Sequence, residues 1–449
     1  MESAFFRRLL NKVVAVRPEE ATALCWSFAY FFCLLAGYYV LRPLRDEMGI
    51  AGGVRNLQWM FTATFMVMLA AVPLFGWVVA TLPRRRFIPL VYHFFVFNIA
   101  IFWLLLTAEV ARTDVARVFF VWISVFNLFA VSVFWSFMAD LYTSEQGKRL
   151  FGFIAAGGSA GALLGPAVTV ALAVPVGPVN LLIVAAALLE VAVFCARRLE
   201  STAPRLRDRV VAEASREPAK PPEAGGLGGG WLAGLAMILR SPYLAGIALW
   251  VFLLSIAGTF LYFQQANIVA AASDNPAVRT RIFATIDLAV GILTIVVQFV
   301  ATGRLLARFG VGRAAAFLPL VFGLGFLVLA WMPWLLVVIA FQAIQRTANF
   351  AISNPAREVL FTVLRREEKY KAKNVIDIVV FRGADAVAGW LFTVLRGAGL
   401  ELSTISLGTV PLAAAWLALS LVLGRAQEAR ASASERPAAP EAIPLARGG

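Results

Sequence analysis

The stretch YYVLRPLRDEMGIAGG, Tyr38 to Gly53, ends the first long apolar run of the chain in two arginines and two acids. Arg42 and Arg45 stand three residues apart, so on a helix they share a face. Asp46, four residues beyond Arg42, is placed to pair with it and leave Arg45 free. A guanidinium is a planar fork of donors that matches carboxylate or phosphate with paired bonds, so this turn offers anion recognition. The plainer alternative is a helix end whose arginines snorkel to lipid headgroups. Other ionisable residues also stand in or beside apolar runs: Asp140, Asp287, Arg346, and the trio Asp377, Arg382 and Asp385. Asp377 and Asp385 are eight apart, roughly two helical turns, and so fall on similar faces. Polar partners accompany them: Tyr262, Gln264, Gln265 and Asn267 in one run, Gln342, Gln345 and Asn349 in another. Charges in hydrocarbon are costly and mark substrate or ion pathways by default. The expected roles are substrate binding for Arg42, Arg45, Asp140, Tyr262, Gln265, Arg346, Arg382 and Asp385, with Asp46, Asp287 and Asp377 as coupling or ion-pair groups.

The elements that must position these groups are long apolar segments. The 449 residues are 61% hydrophobic and only 15% charged, with a mean hydropathy of +0.80. A soluble domain is about half apolar and a quarter charged. Runs of the length needed to cross ~30 Å of hydrocarbon recur, and they are continuously apolar, which fits helices and not alternating barrel strands. Six spans are expected at 21–44, 57–80, 87–109, 114–140, 150–174 and 178–197. Six more follow at 242–271, 281–302, 311–331, 333–353, 373–396 and 404–425. The fold class is therefore all-α: a polytopic membrane protein of about twelve transmembrane helices in two six-helix halves, residues 1–197 and 241–425. Residues 198–240, rich in Pro, Ala, Gly and charge, read as a flexible linker, and 426–449 as a disordered tail.

Basic residues set the orientation. With the N-terminus inside, thirty of the forty Lys and Arg fall in inside segments and eight outside, while Arg346 and Arg382 lie within spans. Both termini and the linker are then cytoplasmic, in a bacterial inner membrane. The net charge of +14 reports this topology and not a nucleic-acid partner. The leader MESAFFRRLLNKVVAVRPEE has no small-residue cleavage site after a short apolar core, so no signal peptide is expected. Cys25, Cys33 and Cys195 lie in apolar spans and read as packing thiols; His93 reads as a packing or interface residue. The small-residue run GFIAAGGSAGALLGP, Gly152 to Pro166, reads as a close helix-packing seam and not a phosphate loop. No nucleophile–base constellation, cofactor motif or metal cluster is found, which points away from an enzyme.

The halves echo one another. GWVVATLPRRRF from Gly76 and GRLLARFGVGRAAAF from Gly303 fall between the second and third spans of each half, 227 residues apart. This 6+6 layout with a repeated basic loop resembles the major facilitator superfamily, although both loops lack that family's acid. A finer resemblance is to the ATP/ADP translocases. LRPLRD (Leu41 to Asp46) looks like their helix 1 signature. FWSFMAD puts Asp140 where they carry an acid, and GKRLFGFIAAGGSAG continues that match. NPAREVLFTVLRREEKYKAKNVID resembles their Pro-x-Lys-Glu segment, with Pro355, Arg357, Glu358, Lys373 and Asp377 in register. The resemblance implies a cavity with a base on helix 1, acids on helices 4 and 7 and a base on helix 11. Arg45 and Asp140 would supply the first two. The helix 7 acid is replaced by Tyr262 or a neighbouring glutamine, and the helix 11 base is displaced, with Asp385 near its place and Arg382 three residues earlier.

The expected function is secondary transport by alternating access of an organic anion such as a nucleotide or phosphorylated metabolite, by a monomer in the lipid bilayer, without cofactor or metal. A proton-coupled permease for another solute using Asp140, Asp377 or Asp385, and a non-transporting scaffold or sensor, are the alternatives. A reporter fused at Gly228, within the linker, is expected to behave as cytoplasmic; periplasmic phosphatase activity there would overturn the orientation.

Overall fold

The computed structural model describes residues 16–17, 20–81, 84–214, 231–298, 300 and 303–435. Among the described residues every regular element is helical. The first half is α1 (Ala21–Ala51), α2 (Leu57–Thr81), α3 (Arg84–Thr107), α4 (Arg112–Leu141), α5 (Ser144–Leu172) and α6 (Leu181–Ala214). The second is α7 (Pro242–Ala272), α8 (Pro276–Val297), α9 (Gly303–Trp331), α10 (Leu335–Leu360), α11 (Lys371–Gly397) and α12 (Leu402–Glu435). Eleven of these are long and apolar enough to cross a membrane; α6, which carries Glu190 and then Arg197 and Arg198, falls outside that set. The side on which α6 ends and α7 begins is called the linker side below.

Local chemistry starts the helices where they start. Pro242 and Pro276 open α7 and α8, behind Ser241 and Asn275, whose side chains accept from the Leu244 and Ala277 amides. Thr143 and Gln146 form a reciprocal capping box at α5. At the start of α1, burial pushes the Glu20 carboxyl up, but bonds from the Arg149 guanidinium, the Arg17 amide and Gln146 outweigh it and hold the group below the usual range. The run Gly152 to Pro166 lies in α5 and packs on α1. A methyl group at Gly161 would overlap the Phe32 carbonyl, and one at Gly165 would fall 2.7 Å from that of Ala36, so glycine sets the approach of the two backbones. Cys25, Cys33 and Cys195 are free thiols, and His93 Nε2 lies 3.6 Å from Glu190 on α6.

Four boundaries differ from those read in the sequence. Helix 1 runs on past residue 44, the end of its expected span, through Pro43 to Ala51, because its last charged turns find partners on other helices and need no water. α6 and α12 continue to Ala214 and Glu435, past the expected starts of linker and tail. Alanine, arginine and glutamate make good helices even where their charge suggests disorder, and Arg430 sits 4.4 Å over the Tyr243 ring. α9 begins at Gly303, but Gly310 breaks it with φ of +75°, a conformation that favours glycine. Residues 1–15, 215–230 and 436–449, the 82–83 junction and the side chains of both repeated basic loops at 76–87 and 303–307 lie outside the described residues.

The halves meet through α5 on α8, α2 on α11 and α1 on α8. Away from the linker side, Trp390 donates to Thr62 (3.1 Å) and its ring meets Trp59 edge-on. There too the Arg279 guanidinium of α8 grips Glu47 of α1 through two bonds of 2.7 Å. Glu47 is wholly buried. Removing one partner of such a pair strands the other and costs roughly 3–5 kcal/mol. Arg279→Ala is therefore expected to lower the melting temperature of the purified protein sharply, and Glu47→Ala combined with Arg279→Ala to recover most of the loss. Additive losses in the double variant would show that the pair is not coupled.

Candidate substrate cavity

Between the halves lies a cavity of about 250 Å³. The turns of α1 beyond the point where the apolar pattern ends bring Arg42, Arg45 and Asp46 to it, and α2 adds Phe61. α7 contributes Ser255, Thr259, Tyr262 and Gln265, a spacing of four, three and three that keeps one face of an otherwise apolar helix polar. Gln342, Gln345, Arg346 and Asn349 line it from α10 at the same helical spacing. Asn349 opens a π-helical turn, Asn349–Ser353, and a second such turn, Ile376–Val380, immediately precedes Phe381, Arg382 and Asp385 on α11. Such turns concentrate at functional sites because they re-aim the side chains that follow.

The charges form three groups. Asp46 Oδ1 accepts from the Tyr262 hydroxyl (3.0 Å) and faces Arg45 Nη1 at 3.4 Å, while the Arg45 guanidinium lies 4.2 Å over the Phe120 ring. Asp287 Oδ1 accepts from Arg346 Nη1 at 2.6 Å and faces Arg42 Nη1 at 3.4 Å. Asp385 Oδ1 accepts from the hydroxyls of Ser255 and Thr259, and its Oδ2 faces Arg382 Nη1 at 3.3 Å. Four guanidiniums thus surround three carboxylates, an excess of one positive charge. Arg45 Nε and Arg346 Nε are buried without a hydrogen-bond partner. A larger recess of about 840 Å³ opens between α2, α3 and α4, but apart from Asn56 and Arg117 its named walls are apolar, and it gathers no convergent polar set.

Of the residues singled out in the sequence, Arg42, Arg45, Asp46, Tyr262, Gln265, Arg346, Arg382 and Asp385 line this one cavity, and Asp287 stands behind Arg42 and Arg346. Two do not join them. Asp140 is exposed near the linker-side end of α4. It lies twenty residues beyond Phe120, the α4 ring that meets Arg45, or ~30 Å along the axis at 1.5 Å per residue. Asp377 lies eight residues before Asp385, ~12 Å toward the linker side, and faces Arg357 of α10 at 3.3 Å. The expected Arg42–Asp46 pair is also replaced. Arg42 turns to Asp287, a buried carboxylate on the helix packed against it, and Tyr262 holds Asp46 toward Arg45. Sequence reading missed Ser255, Thr259 and the Glu47–Arg279 pair. The four polar residues spaced along one face of α7 were a usable signal for the first two; no sequence spacing links Glu47 to Arg279, 232 residues apart.

Two six-helix halves around a buried polar cavity define a secondary transporter and not an enzyme. The sequence matches the Major Facilitator Superfamily over residues 22–357, and the chain belongs to that family. Among solved structures it is similar to the nucleoside transporter NupG (TM-score 0.58, 14% identity, covering 92% of this chain and 99% of that one). It is also similar to a bacterial homologue of the lysosomal transporter Spinster in an inward-facing, unoccupied conformation (TM-score 0.56, 14% identity, 94% and 99% covered). A POT family transporter in complex with 5-aminolevulinic acid superposes with a TM-score of 0.60 at 12% identity, with 91% and 96% covered. At these identities the likeness is one of fold. No curated protein matches the chain significantly.

Proposed function

We propose that the protein carries an organic anion, in the class of nucleotides and other phosphorylated metabolites, across a bacterial inner membrane by alternating access. The observation that carries this reading is the surplus guanidinium of the cavity together with the unpartnered Nε atoms of Arg45 and Arg346. A surplus positive charge out of water is expensive unless an anion joins it, and arginine suits phosphate through its paired donors. The helix 1 signature LRPLRD, by which the chain resembles the ATP/ADP translocases, supplies two of the four arginines. With both termini and the linker cytoplasmic, the Glu47–Arg279 and Thr62–Trp390 contacts close the periplasmic side. At about 250 Å³ the cavity is just below the range of ligand pockets, ~300–1,000 Å³, so the site in this state seats an anionic group and a compact body. The transporter works as a monomer, its cavity formed within one chain.

In this reading Arg45 is the principal ligand. Its pairing with Asp46 is long at 3.4 Å, and its stacking on Phe120 leaves the edges of the fork for substrate. Losing one charge-assisted bond costs roughly 1.5–3 kcal/mol, about ten- to a hundredfold in affinity. In proteoliposomes supplied with radiolabelled nucleotides and phosphorylated metabolites, the wild-type protein is expected to accumulate at least one of them, and Arg45→Ala to weaken its affinity by that factor with normal expression. Uptake by Arg45→Ala at the wild-type rate and affinity would return this turn to the role of a helix end.

A further inference from the structure

Asp287 takes no part in the anion recognition proposed for the cavity, yet its surroundings differ from those of the two acids that line it. Asp385 is held within its own half by Ser255, Thr259 and Arg382. Asp46 reaches the other half only through the neutral hydroxyl of Tyr262. Asp287 instead stands between two guanidiniums from opposite halves, Arg42 of α1 and Arg346 of α10, both directed at its Oδ1, while its buried Oδ2 has no partner. One acceptor atom for two cations, with the second oxygen idle, leaves most of the acceptor capacity of a buried carboxylate unused.

We infer that Asp287 is a displaceable counter-ion: in the empty carrier it holds Arg42 from behind the cavity wall and fastens the halves, until a substrate anion in the cavity draws that guanidinium to itself. This rests on the anion reading above. The α1/α8 seam must open when access changes. Parting Arg42 from Asp287 with nothing in exchange strands charge away from water. A bound anion takes over Arg42 and leaves Asp287 to Arg346, whose bond to it, at 2.6 Å, is the shorter of the two. The loaded carrier therefore changes orientation faster than the empty one, which makes the protein an exchanger more than a net conductor. Asp287 also tunes affinity, because every anion must outcompete it.

The test uses the full-length protein in proteoliposomes with radiolabelled orthophosphate and a radiolabelled nucleoside monophosphate as probes. Exchange of the transported probe against the same unlabelled anion is expected to exceed its net efflux by about tenfold or more, the factor set by one charge-assisted bond. Asp287→Asn is expected to bind that probe about tenfold more tightly and to bring exchange and net efflux close together; Asp287→Glu, which keeps the charge, should retain the wild-type ratio. Equal exchange and net efflux in the wild type overturns the inference without any variant, and so decides the matter even where Asp287→Asn fails to fold. A wild type that binds a probe, with Asp287→Asn binding it no more tightly, overturns the inference and leaves the anion reading standing. Binding by the wild type of neither probe, nor of any nucleotide or phosphorylated metabolite tried in the uptake assay, removes both.

Discussion

The structure is organised around the expense of a charge without a partner in a medium that cannot solvate it. An isolated ion in a low-dielectric interior is destabilised by several kcal/mol, and an ion pair recovers this only with good geometry and full hydrogen bonding. Every ionic turn of α1 obeys this constraint. Arg42 meets Asp287, Arg45 meets Asp46 and the Phe120 face, and Glu47 meets Arg279. Two of these three solutions cross from one half of the molecule to the other. The pairing that allows α1 to remain helical past Pro43 is therefore also what joins the halves.

From that follows the relation between the cavity and the change of access. A rocking carrier has to open one seam as it closes the other, and ionic seams can do so only where each ion has a second partner to turn to. Glu47 and Arg279 form a short two-point clasp at the end away from the linker, with good geometry and little exposure. The Arg42–Asp287–Arg346 cluster is looser, holds an idle carboxylate oxygen and borders the cavity. The two clusters lie along the same pair of helices, α1 and α8. Events at the cavity cluster are thus mechanically close to the clasp. Small residues complete the machinery: the glycines of α5 let α1 lie backbone to backbone against it within the first half.

Much of this was legible in the sequence, because membrane helices are written in composition. Continuous apolar length located the helices, eleven of them long and apolar enough to span, and the rare charges within them, with their polar neighbours, pointed to eight of the residues that now share one cavity. What the sequence could not convey is which charge answers which. Helical spacing paired Asp46 with Arg42, but the buried carboxylate of Asp287 lies 245 positions away in the chain and wins that arginine through helix packing alone. Depth along a helix was equally hidden: Asp140 and Asp377 are as suggestive in type as Asp385, yet they lie tens of ångströms or two turns from the cavity. The ends of α6 and α12 were misjudged because alanine, arginine and glutamate serve both disordered segments and exposed helices.

Anion selection by the cavity's surplus guanidinium underlies both the proposed function and the exchange behaviour. It is tested most directly by ligand-induced stabilisation of the purified protein, since a ligand that binds only the folded state raises its melting temperature by mass action. Matched pairs of phosphorylated metabolites and their dephosphorylated parents would be compared on the wild type and on Arg45→Ala. At least one phosphorylated compound is expected to stabilise the wild type, its neutral parent far less, and the difference is expected to disappear in Arg45→Ala. Stabilisation by the neutral parents equal to that by their phosphorylated forms, or a difference that survives in Arg45→Ala, would contradict it.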